Sequence, residues 1–259
     1  MIATTGPRRG VAGFAIFTLV MLALFVSLGV WQLQRRTEKH ALIAALTERL
    51  AAAPAALPPP SQWGALTPAR DEFRRVHFAA AYEHAPDAMV YSSGSAIRGD
   101  ISGPGTWTFL PARLPDGETV VIDAGFLPNT MQERSLQDRA VNGLVTGEPV
   151  TLTGYLRFPE QAGMLTPAED PAKRLWFTRD HLAMARVLGW GEVAPFYIDL
   201  EAPAPASGVP KPGPLEVHLK DDHMQYAITW FGLAAAMVIA FAVWWRAQRR
   251  AKASGGYNV

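Results

Sequence analysis

The chain has 259 residues, with 24 Lys and Arg against 23 Asp and Glu, so no charge excess points to nucleic acid. It has no cysteine, which excludes disulfides, zinc–thiolate sites, iron–sulfur clusters, thiolate-bound copper and covalently attached c-type haem. Its 21 prolines and 22 glycines favour a turn-rich, strand-rich domain over a helical bundle.

A short tail holding Arg8 and Arg9 leads into residues 11–31, which carry no charge and are mostly apolar. That length suits a transmembrane helix. The run ends in Gly29, Val30, Trp31, Gln32, Leu33, Gln34, Arg35 and Arg36, without the small-residue cleavage site of a signal peptide, so a retained anchor is expected. Residues 32–60 are expected to be a helical extension and then a Pro-rich linker. Helix formers such as Glu38, Ala41, Ala45 and Leu46 come first, and Pro54, Pro58, Pro59 and Pro60 follow.

Residues 70–220 have the texture of a β-rich domain. Strands are expected at 76–82, 88–92, 107–112, 119–126, 150–157 and 195–200, and a last short one at 217–219. The turn signal Pro115-Asp116-Gly117-Glu118 makes the third and fourth of these a hairpin. A short helix is expected at 178–188 with Asp180 in its first turn. Strands at this spacing, joined mainly by short turns, predict a mainly antiparallel sheet partly closed like a small barrel. Residues 226–245 then form a second uncharged run of transmembrane length. The expected fold is therefore an α+β membrane protein, two transmembrane helices flanking an extracytoplasmic β domain.

The second crossing is followed by Arg246, Arg249, Arg250 and Lys252, which predicts a cytoplasmic C-terminus. Two crossings then make both termini cytoplasmic and put the middle domain on the far side of the membrane. Arg35 and Arg36, on that far side, are a local anomaly.

The sequence has no zinc-helix histidine spacing, no nucleophile elbow and no phosphate-cradling glycine loop, so an enzyme is not expected. Asp221 and Asp222 read as a solvated helix start. The mouth of the second crossing is more specific. On a helix His223, Tyr226, Ala227 and Trp230 share one face, where an imidazole would coordinate iron and small Ala227 would let a flat ring approach. The simpler reading of the same residues is an aromatic belt facing membrane lipid. Trp31, Gln32, Arg35 and Arg36 stand at about the same depth, and the two arginines could pair with haem propionates or with lipid phosphates.

The segment Gly29-Val30-Trp31-Gln32-Leu33-Gln34-Arg35-Arg36-Thr37-Glu38-Lys39 resembles the signature that ends the first membrane helix of the Surfeit locus 1 family. His223-Met224-Gln225-Tyr226-Ala227-Ile228-Thr229-Trp230 resembles that family's second signature, His-x-x-Tyr-Ala-x-x-Trp. The resemblance implies a non-enzymatic assembly factor, or chaperone, for haem–copper cytochrome c oxidase in the inner membrane, with its central domain periplasmic. It implies transient haem a binding, His223 as the iron ligand, and delivery to oxidase subunit I, with haem a synthase as a further partner. Tyr226 and Trp230 carry over as signature residues. A cofactor-free scaffold for an oxidase intermediate is the alternative. A second axial ligand is left to another protomer, His218 or the oxidase, because Met224 points away from the His223 face. The family's Asn-Arg-Gly-Trp-Val-Pro strand stands here as Asp123-Ala124-Gly125-Phe126-Leu127-Pro128, and the family's Asn before the histidine is replaced by Asp221-Asp222.

Overall fold

Helix α1 (Arg8–Ala51) takes in the first apolar run and the helix formers behind it without interruption. It stops three residues before Pro54, in keeping with the proline-rich stretch that follows. Helix α6 (His223–Ser254) takes in the second run. The computed structural model describes residues 8–95, 97–216 and 221–254. Its chain divides into two units, one holding the N-terminal stretch through Ile43 with the chain from Lys220 onward, the other Ala44–Leu219.

In the first unit, α1 and α6 are both long and apolar enough to cross a membrane. They pair along a stripe. Phe14 packs on Trp244, with ring centroids 4.6 Å apart, and Phe25 stacks on Trp230 at 5.8 Å. Ala227 and Ala234 are buried in the same seam. Small residues there let the helix backbones approach, as membrane helix pairs require. Away from the seam, Ile16, Phe17, Leu19 and Val20 on α1, and Ile228, Val238, Ile239 and Val243 on α6, are exposed. A patch so apolar is stable only against lipid or another apolar partner.

The second unit begins with the end of α1 and a two-residue strand β1 (Ala55–Ala56), then the single-turn helices α2 (Pro60–Trp63) and α3 (Pro68–Asp71). There follow β2 (Arg75–Tyr82), β3 (Ala88–Ser92), β4 (Gly105–Arg113), β5 (Thr119–Pro128), helix α4 (Arg134–Asn142), β6 (Val150–Arg157), β7 (Leu175–Trp176), helix α5 (His181–Leu188) and β8 (Tyr197–Ala202). The strands lie in the order β1-β2-β6-β8-β5-β4-β3-β7, and a further β2–β4 pairing closes five of them into a barrel. Pairing within the barrel is antiparallel except between β5 and β8, which run parallel with Asp123 opposite Asp199. The expected mainly antiparallel, barrel-like sheet is thus what forms, with one parallel seam that makes it mixed. The expected strand at 217–219 lies outside the described residues.

Alternation along the strands builds two apolar layers. Val76, Leu110, Val120, Ile122, Leu152, Leu156, Ile198 and Leu200 fill the barrel. Their neighbours Trp107, Phe109, Val121 and Tyr197 face outward, where Trp176, Met184 and Trp190 cover them. β5 is therefore buried on both faces, which is why it reads as a continuous apolar run rather than an alternating one. Each such side chain contributes roughly 1.5–3 kcal/mol relative to exposure.

Gly125 marks the point where another segment crosses β5. Its φ is 121°, and a Cβ there would lie 2.4 Å from the carbonyl carbon of Lys211. Phe126 and Lys211 exchange backbone hydrogen bonds of 3.1 and 2.8 Å beside it. Only glycine accommodates both the dihedral and the approach.

Candidate functional site

The site is built on the start of α6 and the middle of α1. The first turn of α6 leaves N–H groups without helical partners. Asp221 satisfies one, its Oδ1 accepting from the His223 N–H at 3.0 Å, and the Asp222 carbonyl accepts from Tyr226 N–H at 3.2 Å. This cap sets where the His223 ring begins.

On α1, Phe25, Gly29, Gln32, Arg36 and His40 recur at intervals of three or four residues, so they form one face of the helix. That face meets α6. A Cβ on Gly29 would lie 2.6 Å from Cε1 of Phe231, so the glycine permits the close approach. One turn on, Gln32 Oε1 accepts from His223 Nδ1 at 2.8 Å. Further along, Asp221 Oδ2 stands 2.6 Å from His40 Nε2 and 3.7 Å from Arg36 Nε. Desolvation works to raise the Asp221 carboxyl. The His223 N–H and the His40 hydrogen bond outweigh it and hold the carboxyl below the usual range. Asp221 is thus more than a solvated helix start, because it joins α6 to α1 through two side chains. The regular spacing of Arg36 and His40 behind Gln32 is the sequence signal that would have found it.

The expected site residues separate into two groups. Gln32, Arg36, His223 and Trp230 are brought together along the seam. Trp31 and Arg35 stand on the outer side of α1, both exposed. The Arg35 guanidinium lies 6.0 Å from the Trp31 ring centre and bonds Glu38 at 2.9 Å. Tyr226 flanks the seam and is 54% exposed. One expectation fails. Ala227 does not open a path for a flat ring, because it is 1% exposed and filled over in the helix seam. Tyr226, beside it on the same turn, leaves its own side of the helix open.

Neutral imidazole carries one N–H. With Nδ1 donating to Gln32, Nε2 keeps its lone pair, and it hydrogen-bonds to none of the described residues. A half-buried imidazole with one nitrogen anchored and the other bonded to none of the described residues has the chemistry of a metal-ligating histidine. The donor set fits a haem iron held by one protein nitrogen.

A second polar cluster lies in the barrel unit and was not singled out from sequence. Asp123 and Asp199 stand opposite each other on β5 and β8, both fully buried. Arg157 Nη1 is 3.6 Å from Asp199, and Arg179 is 3.9 Å from each carboxylate. Arg157 also bonds Glu72 at 2.6 Å and stands 3.8 Å from Glu160. Two guanidiniums therefore face four carboxylates. Burial, aided by the facing Asp199 and opposed by the arginines, pushes the Asp123 carboxyl well above the usual carboxylate range. A proton shared by the pair would reduce the excess of negative charge. The cluster ties three barrel strands to the segment that covers them. Its signal in the sequence is a lone aspartate inside each of two apolar strand runs.

The sequence matches the SURF1 family over residues 19–235, a span that includes both halves of the helix-pair site. The chain belongs to the SURF1 family. Members of the SURF1 family are known as cytochrome oxidase assembly factors. The chain is similar to Surfeit locus protein 1 of Mus musculus, 32% identical over 231 residues, covering 85% of this chain and 72% of the mouse protein. It is 31% identical over 233 residues to Surfeit locus protein 1 of Homo sapiens, covering 85% and 73% of the two chains. A SURF1-like protein of Monosiga brevicollis is 28% identical over 254 residues, 94% of this chain and 90% of that one. SURF1-family membership agrees with the resemblance in the two helix signatures, and the barrel unit lies within the matched span.

Proposed function

We propose that this SURF1-family protein is a membrane assembly factor that binds haem a at His223 and aids its delivery to subunit I of haem–copper cytochrome c oxidase. The observation that carries the reading is the His223 ring, anchored through Nδ1 by Gln32, with Nε2 hydrogen-bonded to none of the described residues. Bound haem would supply a Lewis-acidic iron for that nitrogen. His223 holds the iron side, and Tyr226 flanks the approach. Trp230, stacked on Phe25, stiffens α6 one to two turns below the ligand. Arg36, shared with Asp221, and outward Arg35 supply positive charge for carboxylates at the membrane surface. No step of this function calls for catalysis by the chain.

Residues 11–31 and 226–245 would cross the inner membrane, with residues 32–60 as extension and linker and 70–220 as the periplasmic domain. The cationic run Arg246, Arg249, Arg250 favours cytoplasmic termini. Haem a synthase is a natural donor in this scheme, and subunit I the acceptor.

The test is the absorption spectrum of protein purified from cells making haem a, beside His223→Ala. Haem a bound to the wild type, with an altered ligand field in the variant, is the expected result. Wild type free of haem a, or identical spectra, refutes the ligand assignment. A second reading, a scaffold without cofactor, draws on the outward position of Trp31 and the use of Trp230 in helix pairing. It predicts normal oxidase assembly in His223→Ala and failure only when the barrel unit is disrupted.

A further inference from the structure

We propose that Gln32 is a positioning residue, which holds the His223 proton on Nδ1 and so presents the Nε2 lone pair. Its meaning for haem rests on the reading of His223 given above, whereas the ring's proton position does not.

An amide oxygen can only accept, so Oε1 at 2.8 Å from Nδ1 requires the hydrogen on Nδ1. A neutral imidazole with its hydrogen on Nδ1 has its free electron pair on Nε2. Gln32 is placed for this by its neighbours on α1. Gly29, one turn before it, lets Phe231 close against the helix. Arg36 and His40, one and two turns after it, are taken up by Asp221 and do not compete for the ring. The His223 backbone is fixed separately through Asp221 Oδ1. Ring and main chain are thus held by different partners.

The partner's charge also matters. Metal-ligating histidines commonly donate their second N–H to a carboxylate or a carbonyl, and the acceptor raises ligand basicity. A neutral amide does so less than a carboxylate, because charge-assisted hydrogen bonds are about twice as strong. Gln32 therefore sets a moderate ligand, suited to a site that has to give up what it binds.

The experiment uses the full chain in nanodiscs of phosphatidylcholine and phosphatidylglycerol. Nitrogen-15 NMR of the ring, assigned by its loss in His223→Ala, reads the tautomer without haem. Titration with ferric haem a and resonance Raman of the ferrous form read affinity and the iron–histidine stretch. The wild type is expected to carry the Nδ1–H form. Gln32→Leu is expected to mix the tautomers, weaken haem a binding about tenfold or more, and lower the stretch. Gln32→Glu, which keeps the acceptor oxygen and adds charge, is expected to restore the tautomer, raise the stretch and slow haem release. An Nε2–H wild type overturns the proposal, as does a Gln32→Leu protein with unchanged tautomer and stretch. If the tautomer behaves as expected but no haem a binds, the positioning role stands and the haem reading falls.

Discussion

Gly29→Ala tests whether close approach of the helices builds the His223 site. The added Cβ would lie 2.6 and 2.7 Å from Cε1 and Cζ of Phe231. Carbon atoms rest at about 3.5–4.0 Å, so the overlap is about 1 Å. Either the Phe231 ring turns away or the helices part by about that much. Overpacking of this kind costs typically 1–3 kcal/mol, which is about a 5- to 150-fold loss in the equilibrium for pairing. Parting by about 1 Å also lengthens the Gln32–His223 bond from 2.8 Å to beyond the range of a hydrogen bond. Alanine is the better helix former, so a defect cannot come from a weakened helix. The assay follows the His223 Nδ1–H resonance in the full chain, together with haem a affinity. Gly29→Ala should broaden or lose the resonance and weaken binding at least about fivefold, and Phe231→Leu in the same chain should restore both. Unchanged behaviour in Gly29→Ala, or a defect that Phe231→Leu does not relieve, refutes the reasoning.

The remaining predictions concern the barrel unit. Gly125→Ala meets Lys211 backbone at 2.4 Å and a φ of 121°, neither of which a side-chain rotation relieves. It should cost about 3 kcal/mol or more and lower the thermal midpoint by roughly 6–12 °C; a melt within about 2 °C of wild type contradicts the account. His181 is fully buried, with Nε2 bonded to the Ala194 carbonyl at 3.0 Å. Desolvation, only partly offset by that bond, lowers it to about 4. Its contribution is then present above the ordinary histidine range and is lost as pH falls from about 6.5 through 4, by up to roughly 3 kcal/mol. Denaturant melts between pH 7 and 4 should show the loss in wild type and a shallower one in His181→Gln; parallel curves count against it.

Much of this architecture was legible because its signals are local. Two uncharged runs gave two helices, and the β-branched and aromatic clusters gave most barrel strands. Asp180 belongs at the start of α5 because its side chain accepts from Ala183 N–H. Helix α4 was not foreseen, since Arg134–Asn142 has few apolar residues and buries only Ala140 and Val141 among them, beside the polar Gln137. The parallel β5–β8 pairing was not legible either. It depends on which strands the rest of the chain leaves unpaired, and nothing within Tyr197–Ala202 encodes its partner. At the helix pair, the pattern of His223 and Trp230 was readable from periodicity, but the division of Trp31 and Arg35 from Gln32 and Arg36 was not drawn. That division follows from a turn of 3.6 residues, which sets positions 31 and 35 on a different face from 32 and 36.

The place of β8 between β5 and β6 has a consequence for how the protein is made. Until Tyr197–Ala202 arrives, both neighbours present an open edge, because β8 is hydrogen-bonded to each of them. About 40 residues separate the end of β6 from the start of β8, or about 2–8 s of synthesis at 5–20 residues per second. Throughout that interval the chain carries two templates for strand addition by other molecules. The barrel closes only some 20 residues ahead of α6, so the domain matures almost together with its second helix. A chain truncated before β8 would keep its first helix and nearly all of its apolar core residues, and would be a substrate for quality control rather than a smaller working protein.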